Sequence, residues 1–251
     1  MKISVITVCY NSADTLEVTI KSVKKQTYQH IEYIIIDGGS TDGSVEIIKR
    51  YETFVSKWVS EPDSGLYDAM NKGVRMATGD VIALINSDDL FCDDLALEKV
   101  AKIFTRQPEL DSVYADLFYV AQFDTNKIVR RWKTGKQRKF RQGWHPAHPT
   151  FYVRREVYEQ YGLFNLDFRL AADFEIMLRF LERYKISTFY LEESLVKMRL
   201  GGATNQSLKN IKEGNFECLR AFKVNNLEVN SVLYPCYRLL PKILQYFKPN
   251  R

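Results

Sequence analysis

Asn86, Ser87, Asp88 and Asp89 follow directly on the apolar run Val81-Ile-Ala-Leu-Ile85. Two adjacent carboxylates therefore stand at the end of what reads as a buried strand of a parallel sheet. Such neighbours repel each other and lose hydration, so a positive partner must offset them. In open α/β sheets this carboxyl edge is where ligands bind. A divalent cation carrying a diphosphate fits the edge, because hard carboxylate and phosphate oxygens suit magnesium or manganese. Asp88 is the candidate ligand. Asp and Asn are also good helix caps, and Asp89 serves equally well as a cap for the helix expected from about Asp93.

Two more strand ends bring polar groups to the same edge: Tyr10-Asn11 and Asp37-Gly38-Gly39. Asp37 reads as an acceptor pointing into the cleft, suited to a base N–H or a ribose hydroxyl. The paired glycines let backbone and ligand approach closely. Ser40 to Asp42 read more simply as a turn in which Asp42 caps the next helix. Neither the dinucleotide pattern GxGxxG nor a Walker A loop occurs.

The elements that must position these groups alternate. Strand signals at 3–9, 31–36, 54–60 and 81–86 are separated by helix signals from Asn11-Ser12, at 43–52 and at 66–77. That order predicts an α/β, mostly parallel, doubly wound sheet with both faces covered. Past a helix at 93–106, residues 111–121 and 127–133 predict an antiparallel pair joined by a turn at Asp124-Thr-Asn126. A proline-rich loop (Gly143 to Pro149) and short helix at 154–160 follow. A helix from Ala172 to Tyr184, a strand at 186–191 and a long helix at 205–225 come next. The tail carries Leu233, Tyr234, Tyr237, Leu240, Ile243, Leu244 and Phe247 beside basic residues, as a basic amphipathic helix interrupted at Pro235 and Pro241 would. The expected division is 1–205, with halves 1–106 and 107–205, and a basic helical region at 206–251.

Composition narrows the function classes. At 251 residues and 45% hydrophobic, the chain can bury a large core. Its net charge of +5 is unevenly spread: Lys127 to Arg155 holds ten Lys or Arg and no acid. The stretch from Ser231 onward adds Arg238, Lys242, Lys248 and Arg251, again without an acid, so the remainder is acidic. An acidic body with basic patches suggests an anionic partner met at defined places, such as a phosphorylated lipid at an anionic membrane surface. Nucleic acid is not expected, since no motif for it occurs. The four cysteines show no CxxC pair, so a zinc site is not expected. The opening apolar run is too short for a signal peptide, and no run approaches the ~20 residues of a membrane span. The expected location is cytoplasmic, peripheral on the inner face of the cell membrane.

Five stretches, in order, are Val5-Ile-Thr-Val-Cys-Tyr-Asn11, Asp37-Gly-Gly-Ser-Thr-Asp-Gly43, Glu61-Pro-Asp-Ser-Gly-Leu-Tyr-Asp-Ala-Met-Asn-Lys-Gly73, Ala77-Thr-Gly-Asp80 through Asp89, and Ala171-Ala-Asp-Phe-Glu-Ile-Met-Leu178. Together they resemble the inverting nucleotide-sugar glycosyltransferases of family 2, with the Rossmann-like GT-A fold, over roughly residues 1–205. The similarity is strongest to bacterial enzymes that build O-antigen, capsule and related polysaccharide repeat units. The resemblance implies a smaller antiparallel element on the acceptor side. It implies that Tyr10, Asn11 and Asp37 hold the uracil and ribose of a UDP-sugar. Asn86-Ser87-Asp88 occupies the DxD motif, with Asp88 on Mn2+ or Mg2+. Asn86 departs from the pattern, keeping an acceptor oxygen but losing a charge. Asp63, Asn71 and Lys72 would line the donor cleft, with Lys72 either on phosphate or a surface helix lysine.

Asp173 is implied as the catalytic base, since one-step inversion needs a carboxylate beside the acceptor hydroxyl. It could also cap the helix that follows. Glu175 projects to another side of that helix. Trp144 and His148 would shape the acceptor site, and Lys197 and Arg199 would lie in a loop over the diphosphate. The ten-cation stretch is either the site for a polyprenyl-diphosphate-linked glycan acceptor or a solvated loop. Two rival classes stand beside this reading. A sugar-phosphate nucleotidyltransferase would need a glycine-rich basic loop, and residues 3–15 hold no Gly, Lys or Arg. A non-catalytic nucleotide-sugar or lipid-head-group binder would be expected to lack Asp88 or Asp173.

Overall fold

The computed structural model describes residues 1–201 and 208–238. Strands β1 (Ile3–Cys9), β2 (Ile31–Asp37), β3 (Lys57–Ser60) and β4 (Val81–Leu84) alternate with helices α1 (Ala13–Lys24), α2 (Ser44–Arg50) and α3 (Leu66–Met76). They form a parallel set in the order β3-β2-β1-β4. The strands are apolar without alternation because both faces are covered. Ile6, Val8, Ile34 and Ile36 face a core closed by Tyr67, Met70 and Val74 of α3. Val5, Tyr33 and Ile35 face the opposite core, closed by Leu16, Ile20 and Val23 of α1 and Ile47 and Ile48 of α2. The chain thus changes face between β1 and β4, and a crevice opens at such a switch point beyond the carboxyl ends of the strands.

The second half continues the same sheet. After β5 (Leu90–Phe91) and α4 (Ala96–Arg106), strand β6 (Ser112–Val120) pairs antiparallel with β7 (Ile128–Trp132) and with β8 (Tyr152–Arg154). Strand β8 in turn runs antiparallel to β4, joining the halves. Helices α5 (Arg155–Tyr161) and α6 (Ala172–Leu178) precede β9 (Thr188–Arg199), which runs parallel to β6 and antiparallel to β5. Helix α7 (Leu208–Val224) closes the α3 side, placing Cys218, Ala221 and Phe222 in the same core as Ile6 and Phe174.

The expected mixed α/β sheet, larger parallel part and antiparallel pair are all present. Three local expectations are corrected. The helix expected from Ala172 to Tyr184 widens after Leu178 into a π-helical turn at Arg179–Arg183. The strand expected at 186–191 runs on to Arg199, because Glu192 and Glu193 form a bulge opposite the Ala115/Asp116 step and hide the strand pattern. Pro235 does not interrupt the tail helix: residues 233–238 are helical, and a first-turn proline has no helical hydrogen bond to lose. The tail beyond Arg238, with Pro241, and the point at residue 205 lie outside the described residues.

Candidate active site

Beyond the carboxyl ends of β1 and β4 lies a cleft of about 1010 Å3. Its walls include Tyr10, Asn11, Asp63, Asn86, Asp88, His148 and Asp173. The site residues on β1, on β4 and at the start of α6 therefore meet in one cavity, although 162 positions separate Asn11 from Asp173. Asn11 adopts a left-handed backbone (φ 48°), which Asn tolerates better than most residues, and this turns the chain sharply from β1 into α1. Its Oδ1 accepts the Thr41 N–H at 2.9 Å, and its own N–H donates to Ser40 Oγ at 2.8 Å. Tyr10 is left 64% exposed at the mouth, a free aromatic face.

Asp37 is placed differently from the sequence expectation. It is fully buried and turned away from the cleft. Its carboxylate accepts the N–H groups of Gly39 and Ser40 (3.1 and 2.9 Å) and the hydroxyls of Ser40 and Ser60 (2.5 and 2.6 Å). Burial raises its pKa, but these donors outweigh that and hold it below the ordinary carboxylate range. Its effect on the cleft is indirect, through the loop that grips Asn11. Gly43 rather than Asp42 is the N-cap of α2, but the Asp42 carboxylate one residue earlier accepts from Ser44 N–H at 3.0 Å and also from Ala13 N–H at 2.9 Å.

Asn71 and Lys72 also leave the expected lining. Asn71 is buried and exchanges two hydrogen bonds of 2.9 Å with the backbone of Phe164. Lys72 pairs with Glu61 at 2.9 Å and donates to the Pro62 carbonyl at 3.1 Å. Neither is among the residues that line the cleft. Asp63 stays at the wall, its Oδ1 accepting Gly65 N–H at 2.8 Å.

The acidic edge is under-compensated. Asp88 is half-buried at the cleft, and burial raises its pKa, with Arg199 partly opposing. Asp89 is buried; burial first and the Asp88 charge second push its pKa well up. Asn86 Nδ2 donates to Asp89 Oδ2 at 3.3 Å, while Asp89 Oδ1 finds no partner among the described residues. Arg199 is buried within β9, not in a loop, and donates to the Gln122 carbonyl at 2.8 Å. Lys197 likewise stands in the β5–β9 pairing. Asp88 and Asn86 share the cleft lining and offer hard oxygens of the kind a divalent cation takes, although no group of three or more His, Cys, Asp or Glu able to hold a metal occurs among the described residues.

Asp173, also in the cleft lining, lies in the first turn of α6, two residues past the N-cap Ala171. Tyr67, a residue not singled out in the sequence although it lies inside Glu61–Gly73, donates its hydroxyl to Asp173 Oδ1 at 3.1 Å. Burial and then the Asp173 charge raise the Tyr67 pKa far above the usual phenol, so it stays a donor. His148 lines the cleft, and its Nε2 has no partner among the described residues. Burial depresses its pKa against the opposing pull of Asp173, favouring the neutral ring. Trp144 lies beneath the site in the core, donating to the Thr134 carbonyl at 2.9 Å. Glu175 projects away, as expected, and pairs with Arg179 at 3.0 Å.

The basic stretch is largely folded. Arg131 pairs with Asp116 at 2.9 Å, Lys133 with Glu192 at 2.6 Å, and Arg154 donates to the Leu110 and Pro108 carbonyls. No helix among the described residues is long and apolar enough to cross a membrane.

The switch-point cleft thus brings Asp88 and Asp173, from distant parts of the chain, into one lining. The chain belongs to Glycosyl transferase family 2, whose family description it matches over residues 4–162. It is 35% identical over 184 residues to an uncharacterized glycosyltransferase of Mycobacterium tuberculosis, covering 70% of this chain and 68% of that one. It is 26% identical over 213 residues to a PGL/p-HBAD biosynthesis glycosyltransferase of Mycobacterium bovis, covering 80% and 78%. Among solved structures, it resembles residues 1–349 of TarS from S. aureus in complex with UDP, with a TM-score of 0.67 at 17% identity over 95% of this chain and 70% of that one. The mannosyltransferase PcManGT from Pyrobaculum calidifontis, in complex with GDP-Man and Mn2+, gives 0.66 at 16% identity over 100% and 76%. At such identities the structural likeness speaks for the fold.

Proposed function

We propose that this glycosyltransferase moves a hexose, with inversion, from a UDP-sugar to a hydroxyl of a polyprenyl-diphosphate-linked glycan during bacterial surface polysaccharide assembly. The observation carrying this reading is that Asp88 and Asp173 line one cleft from opposite elements. Tyr10 stacks on the uracil, while Asn11 and Asp63 contact base and ribose. Asp37 works at one remove by fixing the Gly38–Ser40 turn. Asp88 would hold Mn2+ or Mg2+, with Asn86 contacting ribose or water, and a bound ion would offset charge on the leaving diphosphate.

Asp173 removes the proton from the acceptor hydroxyl as its oxygen attacks the anomeric carbon, and the bond from that carbon to the diphosphate oxygen breaks. UDP leaves on the opposite face, and an α-linked donor yields a β-linked product. The Tyr67 hydroxyl orients the Asp173 carboxylate toward the attacking group. Basic residues of the 127–155 stretch and of the tail meet the lipid diphosphate and an anionic membrane face. Residues 1–205 carry the donor-side residues and the base of this reading, and α7 braces them through the core it shares with α6.

A panel of UDP-glucose, UDP-galactose and their N-acetyl counterparts, with a synthetic lipid-diphosphate acceptor and Mn2+, tests this by release of UDP. Asp173→Asn is expected to keep donor affinity and lose about 10²–10⁴-fold in turnover. Asp88→Ala is expected to weaken metal and donor binding together. Near-normal transfer by Asp173→Asn would refute the base assignment.

A further inference from the structure

On one side, the loop that delivers Asp173 is held by α7. Three successive backbone N–H groups, those of Arg169, Leu170 and Ala171, converge on the Glu217 carboxylate at 2.9, 2.8 and 2.8 Å. Ala171 is the N-cap of α6, and its carbonyl accepts the first helical bond from Glu175 N–H at 2.9 Å. These N–H groups precede the helix and lie outside its own ladder, so their acceptor must come from elsewhere, and here the Glu217 carboxylate supplies it at the point where the helix begins.

Other α7 side chains grip the same segment. Arg220 lies over the Phe168 ring at 4.7 Å and donates to the Asp167 carbonyl at 3.3 Å. Asn225, one residue past the end of α7, donates to Glu175 Oε1 at 2.9 Å. Residues 217, 221 and 225 recur at helical spacing, so one face of α7 spans the segment from 167 to 175. From the other side, Tyr67 of α3 stacks on Phe164 (5.7 Å) and donates to Asp173. Asp173 is thus set between two helices, and α7 lies beyond residue 162, where the family match ends.

We propose that Glu217 is a positioning residue: by gathering three N–H groups ahead of α6 it sets the reach of the Asp173 carboxylate into the cleft. For its effect on turnover this inference rests on Asp173 being the base. The N–H groups are directional, so losing their acceptor lets the first turn rotate or fray, and a shift of about 1 Å at a reacting group costs about 10²-fold.

The test compares Glu217→Ala, Glu217→Gln, Asp173→Asn and the Glu217→Ala/Asp173→Asn pair, with UDP release from the four-donor panel and crystal structures of the single variants. Glu217→Ala is expected to lower kcat about 10²-fold with donor KM within about threefold. Glu217→Gln, which keeps one acceptor oxygen and the side-chain volume, is expected to fall between it and the native protein. On the Asp173→Asn background the Glu217 change should add nothing. In the Glu217→Ala crystal, or in Glu217→Gln if the alanine variant does not fold, Asp173 Oδ1 should have left the Tyr67 hydroxyl. An unchanged kcat, a loss carried wholly in KM, or losses that multiply in the pair would overturn the inference. So would a Tyr67–Asp173 contact kept at 3.1 Å, which decides the matter even where no donor of the panel reacts. Full turnover by Asp173→Asn alone would instead refute the base reading, leaving the structural comparison to judge Glu217.

Discussion

Gly38 leaves no room for a side chain. A Cβ there would stand 2.5 Å from Asp63 Oδ2 and 3.3 Å from the Tyr10 ring. Both neighbours belong to the cleft wall rather than to the core, so the clash is relieved by moving them and the cost falls on ligand binding. Overpacking of this kind costs about 1–3 kcal/mol, and about 1.4 kcal/mol expressed at the donor is tenfold in affinity. Gly38→Ala is therefore expected to raise donor KM about tenfold with the thermal midpoint little changed, read from initial rates and a melting curve. Loss of stability without a change in KM would place the clash in the core instead. The sequence reading has the glycines admit a close approach of ligand; at Gly38 the close neighbours are the Asp63 and Tyr10 side chains.

At the scale of elements, the parallel sheet is tied together at the end away from the cleft by one acid. Glu32 on β2 accepts from Ser4 Oγ on β1 (2.6 Å) and from the N–H and hydroxyl of Thr78 before β4 (2.7 and 2.8 Å), and pairs with Lys57 on β3 (3.0 Å). Burial opposes ionisation, yet these donors together bring its pKa from 4.5 to about 2. The folded-state value lies below the unfolded one, so the stabilisation is complete above about pH 4.5 and drains away as pH falls toward about 2. Its size is about 3 kcal/mol at most, because Lys57 is partly exposed and screened. Urea midpoints at pH 7 and pH 3 should converge for the native protein and Glu32→Gln as pH falls. A gap that widens toward acid would contradict this account.

Across the whole molecule, the α3-side core runs without a break from β1 through α6 to α7. Phe222 is 2% exposed and stands 5.9 Å from the Phe174 ring and 5.3 Å from Tyr234. Removing it should cost about 3–5 kcal/mol, in the range of buried Phe→Ala changes, visible as a lower urea midpoint at unchanged slope. A negligible change would mean that α7 is a separate appendage. Because α6 shares this core, the same variant should lose turnover more than nucleotide affinity. Glycosyl transfer then depends on residues far beyond the nucleotide half.

Periodicity in the chain suffices for most elements, since burial on both faces demands uninterrupted apolar strands and a 3.6-residue stripe demands amphipathic helices. The Asn86 to Asp89 edge and the Ala171 to Leu178 segment were legible for the same reason: residue type and order survive folding unchanged. What only the tertiary structure decided is direction. Asp37 and Asn71 are buried within the protein, Lys72 pairs with Glu61, Arg199 belongs to a strand, Tyr67 reaches Asp173 across 106 positions, and Glu217 reaches Ala171 across 46. Side-chain direction depends on helix pitch, strand register and which elements pack together, all set by contacts between distant residues. A local pattern carries no record of them.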